Sequence, residues 1–455
     1  MPRNTHRATN HHYRPHVITV PPAQVVADGQ RLMRPGGAYG LAVAFFGLLF
    51  LLGVVGFILR LAGGFEHRER WAYFGATIAF ILSTFQSAPV VAVAGRLAKG
   101  HWRRPVTRAL EMCSLAGIIS LLMVIPAALV LPPTFGRPSL YFDSPLGIPL
   151  VWNVVILGAL FLAGLGLVFL SARPDLAMVR ALEGDFRAAR AWPGTTKQWR
   201  VLEKGMTLLS AFYLMAYVGA HTVFATDFAM SQIPGWHSAI FPALHAIDGL
   251  QAACATAILV MALVRRFGRL EAYISVDPFW GVAKLMLALT LLWMYFHFAE
   301  FLTLWYGRTP REIAVLTILY GGPYLGLFIV EFLFVWLIPF IMLLIFPVRR
   351  SIRWNVLVAL SILFGLLLDR IRLYSAAFSV ENVFEHMLEH IPGPYLPDAV
   401  DIMILVGGIS GAVLVYLLAV RLVPLLALWE VRQALLFSRA IRYLRTEATV
   451  VAKPE

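Results

Sequence analysis

A chain of 455 residues that is 59% hydrophobic and 14% charged has too little polar surface for a soluble globular domain, in which about a quarter of residues carry charge. A net charge of +13 would suit nucleic acid, but the basic residues lie in segments between apolar runs, where membrane topology alone requires them, so no nucleic-acid partner is expected. Cys113 and Cys254 both sit inside apolar runs, which argues against a disulfide framework and a Cys-ligated metal or iron–sulfur centre.

Residues 1–35 form a polar tail with Arg3, Arg7, Arg14, His6, His11, His12 and His16, and without the apolar core of a signal peptide. Ten apolar runs follow, near 37–61, 71–95, 110–131, 148–171, 205–228, 238–264, 279–305, 318–346, 354–375 and 399–420. Each approaches or exceeds the roughly 20 residues with which a helix crosses a hydrocarbon core about 30 Å thick. Unbroken runs satisfy backbone polar groups in lipid as helices, whereas a barrel would show short alternating strands. The predicted fold is an all-α integral membrane protein with about ten transmembrane helices. Two four-helix bundles (36–172 and 205–346) are separated by a basic loop (173–204), followed by two flanking helices (347–420) and a basic tail (421–455).

The loops assign the ends. GRLAKGHWRRPVTR at 95–108, the 173–204 loop, Arg265, Arg266 and Arg269, Arg349, Arg350 and Arg353, and the C-terminal arginines share one side if ten helices alternate. Most opposite loops are neutral or acidic, and the last contains Glu381, Glu385, Glu389 and Asp398. This bias predicts both termini on the cytoplasmic side of a multi-pass protein in the bacterial cytoplasmic membrane. Residues 379–395 read as a short amphipathic helix on the external face, closed by Pro392. Gly407 and Gly411 form a small-xxx-small pair for close helix packing.

Ionisable groups inside spans are costly and need a partner, a cavity or a task. The fifth span holds His221 and ends at Asp227; the sixth holds His245 and Asp248; the seventh holds Lys284, His297 and Glu300; the eighth holds Glu331 near its middle. Alternation puts the three histidines, Asp227, Asp248 and Glu300 in the external half, with Glu331 central and Lys284 lower. Histidines and desolvated carboxylates suit proton uptake and release, and a quinol head group would use the same hydrogen-bonding chemistry. The bland alternatives are histidines bonded at the headgroup level, Asp227 capping a turn, and Glu111 paired to Arg108. Three histidines also raise a bis-His haem, although no span carries a doubled His pattern. In the first bundle Ser83, Gln86, Ser87 and Asn153 either join helices or, for Ser83, Gln86 and Asn153, contact a quinol.

The stretches GHWRRPVTRALE (100–111), TDFAMSQIPGWHSAIF (226–241), GVAKLMLALTLLWMYFHFAEFLTLWYG (281–307) and FVWLIPFIMLL (334–344) give the chain a likeness to a known family. It resembles the polysulfide reductase-like (NrfD-like) integral membrane subunits, specifically the second such subunit of alternative complex III, over roughly residues 35–420. The resemblance implies a subunit without a covalently bound cofactor in a quinol:electron-acceptor oxidoreductase, with menaquinol or another quinol as substrate. It also implies a sister membrane subunit, small membrane subunits, lipids, a multihaem cytochrome c, and a periplasmic iron–sulfur, molybdopterin-oxidoreductase-like subunit. Haem and iron–sulfur clusters would belong to those partners. Asp227 matches the family's acidic segment and Lys284 its GKLM-like stretch, whereas His297 and Glu300 fall where relatives often differ. The family's quinone pocket is usually associated with the first bundle, which here lacks a His/Asp pair near the external face. Weight therefore shifts towards structural support of the redox partners and proton transfer through Asp227, Glu331 and Lys284. A proton-coupled secondary transporter and a purely structural anchor are the alternatives.

Overall fold

The computed structural model describes residues 18–34, 36–134, 149–185, 190–443 and 446–451. The N-terminal arginines and histidines, Arg3 to His16, lie outside the described residues, as does most of the 132–147 loop. Helix α1 spans Pro22–Met33. The membrane-length helices are α2 (Gly37–Ala62), α3 (Arg68–Leu97), α4 (Thr107–Val130), α5 (Pro149–Leu182), α6 (Thr196–Phe228), α7 (Phe241–Phe267), α8 (Val276–Gly307), α9 (Leu325–Leu344), α10 (Ile352–Phe378) and α11 (Ala399–Val420). Helix α12 (Leu428–Phe437) follows, and a hairpin of β1 (Ser438–Tyr443) and antiparallel β2 (Thr446–Val451) is a small exception to the all-helical expectation.

Among the described residues, nine of these helices are long and apolar enough to cross a membrane. The exception is α10, the ninth expected span, which matches the others in length but carries Asp369, Arg370 and Arg372 in its second half. The chain is thus a multi-pass, helical membrane protein. Helices α3 and α7 are the most enclosed and α2 the least. Helix α10 packs on α3, α7 and α9, while α11 packs on α2, α3 and α4. A methyl group on Gly53 of α2 would lie 2.5 Å from the Gly407 Cα of α11, so the two backbones touch where neither residue has a side chain. Gly411 likewise leaves room for the Phe50 ring.

Three expectations are corrected. Residues 379–395 form turns and extended chain, not an amphipathic helix, because local side chains and distant groups capture their backbone. Arg68 donates to the Val380 carbonyl (3.1 Å), Asn382 Oδ1 accepts from Phe384 N–H, and the Tyr395 N–H donates to Tyr324. Second, α5 runs through Pro174 to Leu182 and α6 starts after the Thr195–Gln198 capping box, so the 173–204 connection is short. Third, the polar tails contain docked helices: α1 buries Val25, Val26 and Leu32, and its Gly29 meets Leu428 of α12.

We call the end that carries α1 and α12 the tail end, and the opposite one the far end. Glu430 of α12 enters a buried charge network at the tail end. It accepts from Arg103 (2.6 Å) and Arg96 (3.3 Å), while Arg96 also binds Glu111 (2.6 Å) and Arg108 binds Asp175 (2.9 Å). The Arg108–Glu111 contact expected from sequence is present but longer, at 3.8 Å. Burial alone would raise the Glu430 carboxyl, yet Arg103 and Arg96 hold it below its ordinary value. At the far end Arg60 joins Asp398 and Asp401, each at 2.8 Å, and fastens α2 to α11.

Candidate proton-transfer site

Helices α3, α6, α7 and α10 bring Ser87, His221, His245 and Tyr374 into one buried row. His221 Nδ1 lies 2.8 Å from His245 Nδ1, Tyr374 Oη 3.2 Å from His245 Nε2, and Ser87 Oγ 3.4 Å from His221 Nε2. The donors can be assigned by exclusion. The Ser87 hydroxyl gives its proton to the Leu82 carbonyl (2.7 Å), so it accepts from His221 Nε2–H. A neutral His221 is then bare at Nδ1 and accepts from His245 Nδ1–H, which leaves His245 Nε2 to accept from the Tyr374 hydroxyl. The row is therefore a directional chain of hydrogen bonds from α10 to α3. Its two imidazoles are in direct contact, with ring centroids 4.9 Å apart, so no porphyrin fits between them and a bis-His haem on this pair is ruled out.

Close approach of α6 and α7 makes the row possible. A methyl group on Gly249 would stand 2.4 Å from Tyr217 Oη and 2.6 Å from His221 Cε1. Gly249→Ala is expected to destabilise the fold by about 1–3 kcal/mol, as overpacking does, and to part the two imidazoles. Thermal unfolding in detergent checks this, and an unchanged transition would show that the helices separate without cost.

One turn before Tyr374, α10 supplies the second part of the site. Arg370 contacts Asp369 (2.8 Å) and Asp248 (3.2 Å); Arg372 contacts Asp369 (2.9 Å) and Glu331 (2.7 Å). His297 Nε2 stands 4.0 Å from Glu331 Oε1, its ring stacked on Trp293 at 3.8 Å. Five charged side chains from α7, α9 and α10, with His297 of α8, are thus buried together in the far half of the helices. Asp248, His297, Asp369, Arg370, Arg372 and Trp236 line a narrow cavity beside them with room for about one water.

The arithmetic of this cluster matters more than any one pair. Asp248, Glu331 and Asp369 are three carboxylates against two guanidiniums. A net buried charge is expensive in a medium of low dielectric. The group is neutral only when it holds one proton, on a carboxylate or on His297.

The backbone around Glu331 is irregular on both sides. Wide π-turns at Thr317–Gly321 and Leu333–Leu337 bracket it. Side chains from neighbouring helices bond the carbonyls of these turns. Arg372 reaches Leu319 (2.7 Å), Gln251 reaches Val335 (2.9 Å) and Ser361 reaches Phe334 (2.8 Å).

The remaining candidates lie elsewhere. Asp227, at the end of α6, accepts from Asn153 of α5 (2.6 Å). Glu300 accepts from Trp236 Nε1 (3.0 Å) and from the Ser238 hydroxyl. Gln86 accepts from Ser120 (2.6 Å) and lies in a different hydrogen-bonded pair from Asn153; Ser83 is buried on α3. Lys284 is exposed on α8, its ammonium 4.0 Å from the centre of the Trp280 ring and about 20 Å along the helix from His297. It is not part of the cluster.

Asp369, Arg370, Arg372 and Tyr374 are absent from the residues that sequence singled out. Three charges within four residues of an expected span were a legible signal for the first three. Nothing in sequence distinguishes Tyr374 from the other tyrosines. Among the described residues no group of three or more His, Cys, Asp and Glu side chains is arranged to hold a metal ion.

A family model described as "Polysulphide reductase, NrfD" matches residues 65–380, more than two thirds of the chain and the whole of the stretch from Ser87 to Tyr374. No curated protein matches the chain.

Proposed function

The chain belongs to the NrfD polysulphide reductase family, and on that premise we propose that it is a membrane subunit of a quinol-oxidising electron-transfer complex, in which it moves protons through the far half of its helix bundle. The observation that carries this reading is the odd-proton cluster of Asp248, Glu331, Asp369, Arg370 and Arg372, with the Tyr374–His245–His221–Ser87 row beside it on α10. A passive anchor has no use for a buried group that requires an extra proton to be neutral. A solute transporter needs room for its solute, and the cavity at the cluster has room for about one water.

In this proposal the chain is the second NrfD-like subunit of an alternative complex III in a bacterial cytoplasmic membrane. The basic tail end faces the cytoplasm and the cluster lies towards the external side, where a quinol such as menaquinol releases protons on oxidation. Electrons pass to haem and iron–sulfur clusters in a multihaem cytochrome c and a periplasmic iron–sulfur subunit, and this chain handles only protons. Gentle extraction from native membranes, followed by identification of the co-purifying subunits, tests the setting. A multihaem cytochrome and an iron–sulfur subunit are the expected companions, and a stable particle of this chain alone would overturn the proposal.

A further inference from the structure

Lys284 stands on the outside of α8, nine residues into the helix, where the surrounding surface is apolar. Leu285, Ile341, Leu344 and Phe346 are all exposed around the same junction of α8 with the end of α9. The start of α8 is about 12 Å away along its axis, so the Lys284 Cα lies more than two turns into a helix long and apolar enough to cross a membrane. Its side chain leans back towards the tail end, as helical side chains do, and lays the ammonium over Trp280 one turn earlier, 4.0 Å from the ring centre. Arg350 approaches the same ring at 5.4 Å and the Phe346 ring at 5.6 Å; Trp280 and Phe346 meet edge to face at 6.3 Å. Arg349 covers Phe346 at 6.0 Å while it caps the end of α9 through the Leu343 and Leu344 carbonyls. Three cations thus gather on two aromatic rings beside exposed apolar side chains. Asp277, two turns below Lys284 in the first turn of α8, is the acid in that turn.

We propose that this junction binds one anionic phospholipid, with its phosphate between Lys284 and Arg350, its headgroup against Trp280, and an acyl chain along Leu285, Ile341 and Leu344. Charge complementarity selects the occupant. A lipid phosphate gives the lipid-facing ammonium the anion that hydrocarbon cannot, and the indole holds the headgroup plane. The site is independent of the proton cluster and of the proposed function.

Native mass spectrometry of the full-length protein, in the assembly in which it purifies, tests this with added dioleoyl phosphatidylglycerol and dioleoyl phosphatidylcholine. Each interfacial cation changes the partition of an anionic lipid about fivefold, so K284Q is expected to weaken phosphatidylglycerol retention about fivefold and K284Q with R350Q about 25-fold. Lys284 is exposed, so K284Q leaves the core intact, and K284R is expected to retain the lipid as the native chain does. Equal phosphatidylglycerol retention by K284Q and the native chain would overturn the proposal. So would equal retention of the two lipids by the native chain, or displacement of phosphatidylglycerol by millimolar inorganic phosphate, which would make the site one for a free anion.

Discussion

Replacing Arg372 with leucine is expected to cost the folded state about 3–5 kcal/mol, the loss seen when one partner of a buried ion pair is removed. Arg372 is enclosed and bonds three groups: Glu331 of α9 (2.7 Å), Asp369 of its own helix (2.9 Å) and the Leu319 carbonyl of the first π-turn (2.7 Å). Leucine leaves three carboxylates, Asp248, Glu331 and Asp369, opposed by Arg370 alone, and the Leu319 carbonyl without its partner. The loss follows from uncompensated charge more than from missing contacts. Arg372→Leu combined with Glu331→Leu is therefore expected to recover much of the stability, since a buried pair replaced by apolar side chains is often neutral. Denaturant titration of the protein in mild detergent measures both variants. A loss below about 1 kcal/mol for Arg372→Leu would mean that the carboxylates are already protonated and need no cation.

Replacing Glu331 with glutamine is expected to leave the fold nearly as stable and to slow proton delivery about a hundredfold or more, the range lost with a proton-transferring side chain. Glutamine keeps the shape, and its carbonyl can still accept from Arg372 Nε. What changes is the charge sum: two carboxylates now balance two guanidiniums, and the group is neutral with no proton to store. Stopped-flow detection of protons released by the purified complex in vesicles, after a pulse of reduced quinol, reads the difference. If release keeps its native rate while the protein is folded, the cluster is structural and the proton takes another route. Asp248→Asn makes the same change of charge at the other end of the cluster, beside His245, and provides a second check.

The positions of the spans were legible because a run of about 20 apolar residues has few fates in a chain of this composition. Partners were less legible than positions. Sequence placed His221 and His245 at similar depth, but only the glycine at 249 lets α6 and α7 approach until the rings touch, and a lone glycine in an apolar helix announces nothing. Glu331 drew attention as a midspan acid, and its ion-pair partner Arg372 comes from a helix 41 residues further on. Lys284 lies away from the cluster on an exposed face of α8, since depth along a helix says nothing about which face a residue occupies. The periodicity at 379–395 misled for another reason. Its apolar positions do suit a helix, but Val380, Phe384 and Tyr395 spend their backbone groups on Arg68, Asn382 and Tyr324 instead.

The backbone contact between Gly53 and Gly407 joins the first and the last of the ten long helices. Their meeting points are separated by about 350 residues, which take roughly 20–70 s to synthesise at ordinary elongation rates. Throughout that interval α2 has been inserted and its main partner does not exist. Its high mean hydropathy of 2.8 and its low burial in the finished protein describe a helix that can wait in lipid alone. The polar interior can be assembled against α3 and α7 as they arrive, and the bundle closes when the glycines of α11 reach a groove left open for them. A quality-control system that surveys unfinished membrane chains would find this seam exposed until α11 is made, and α12 with its Glu430 still has to dock at the tail end after that.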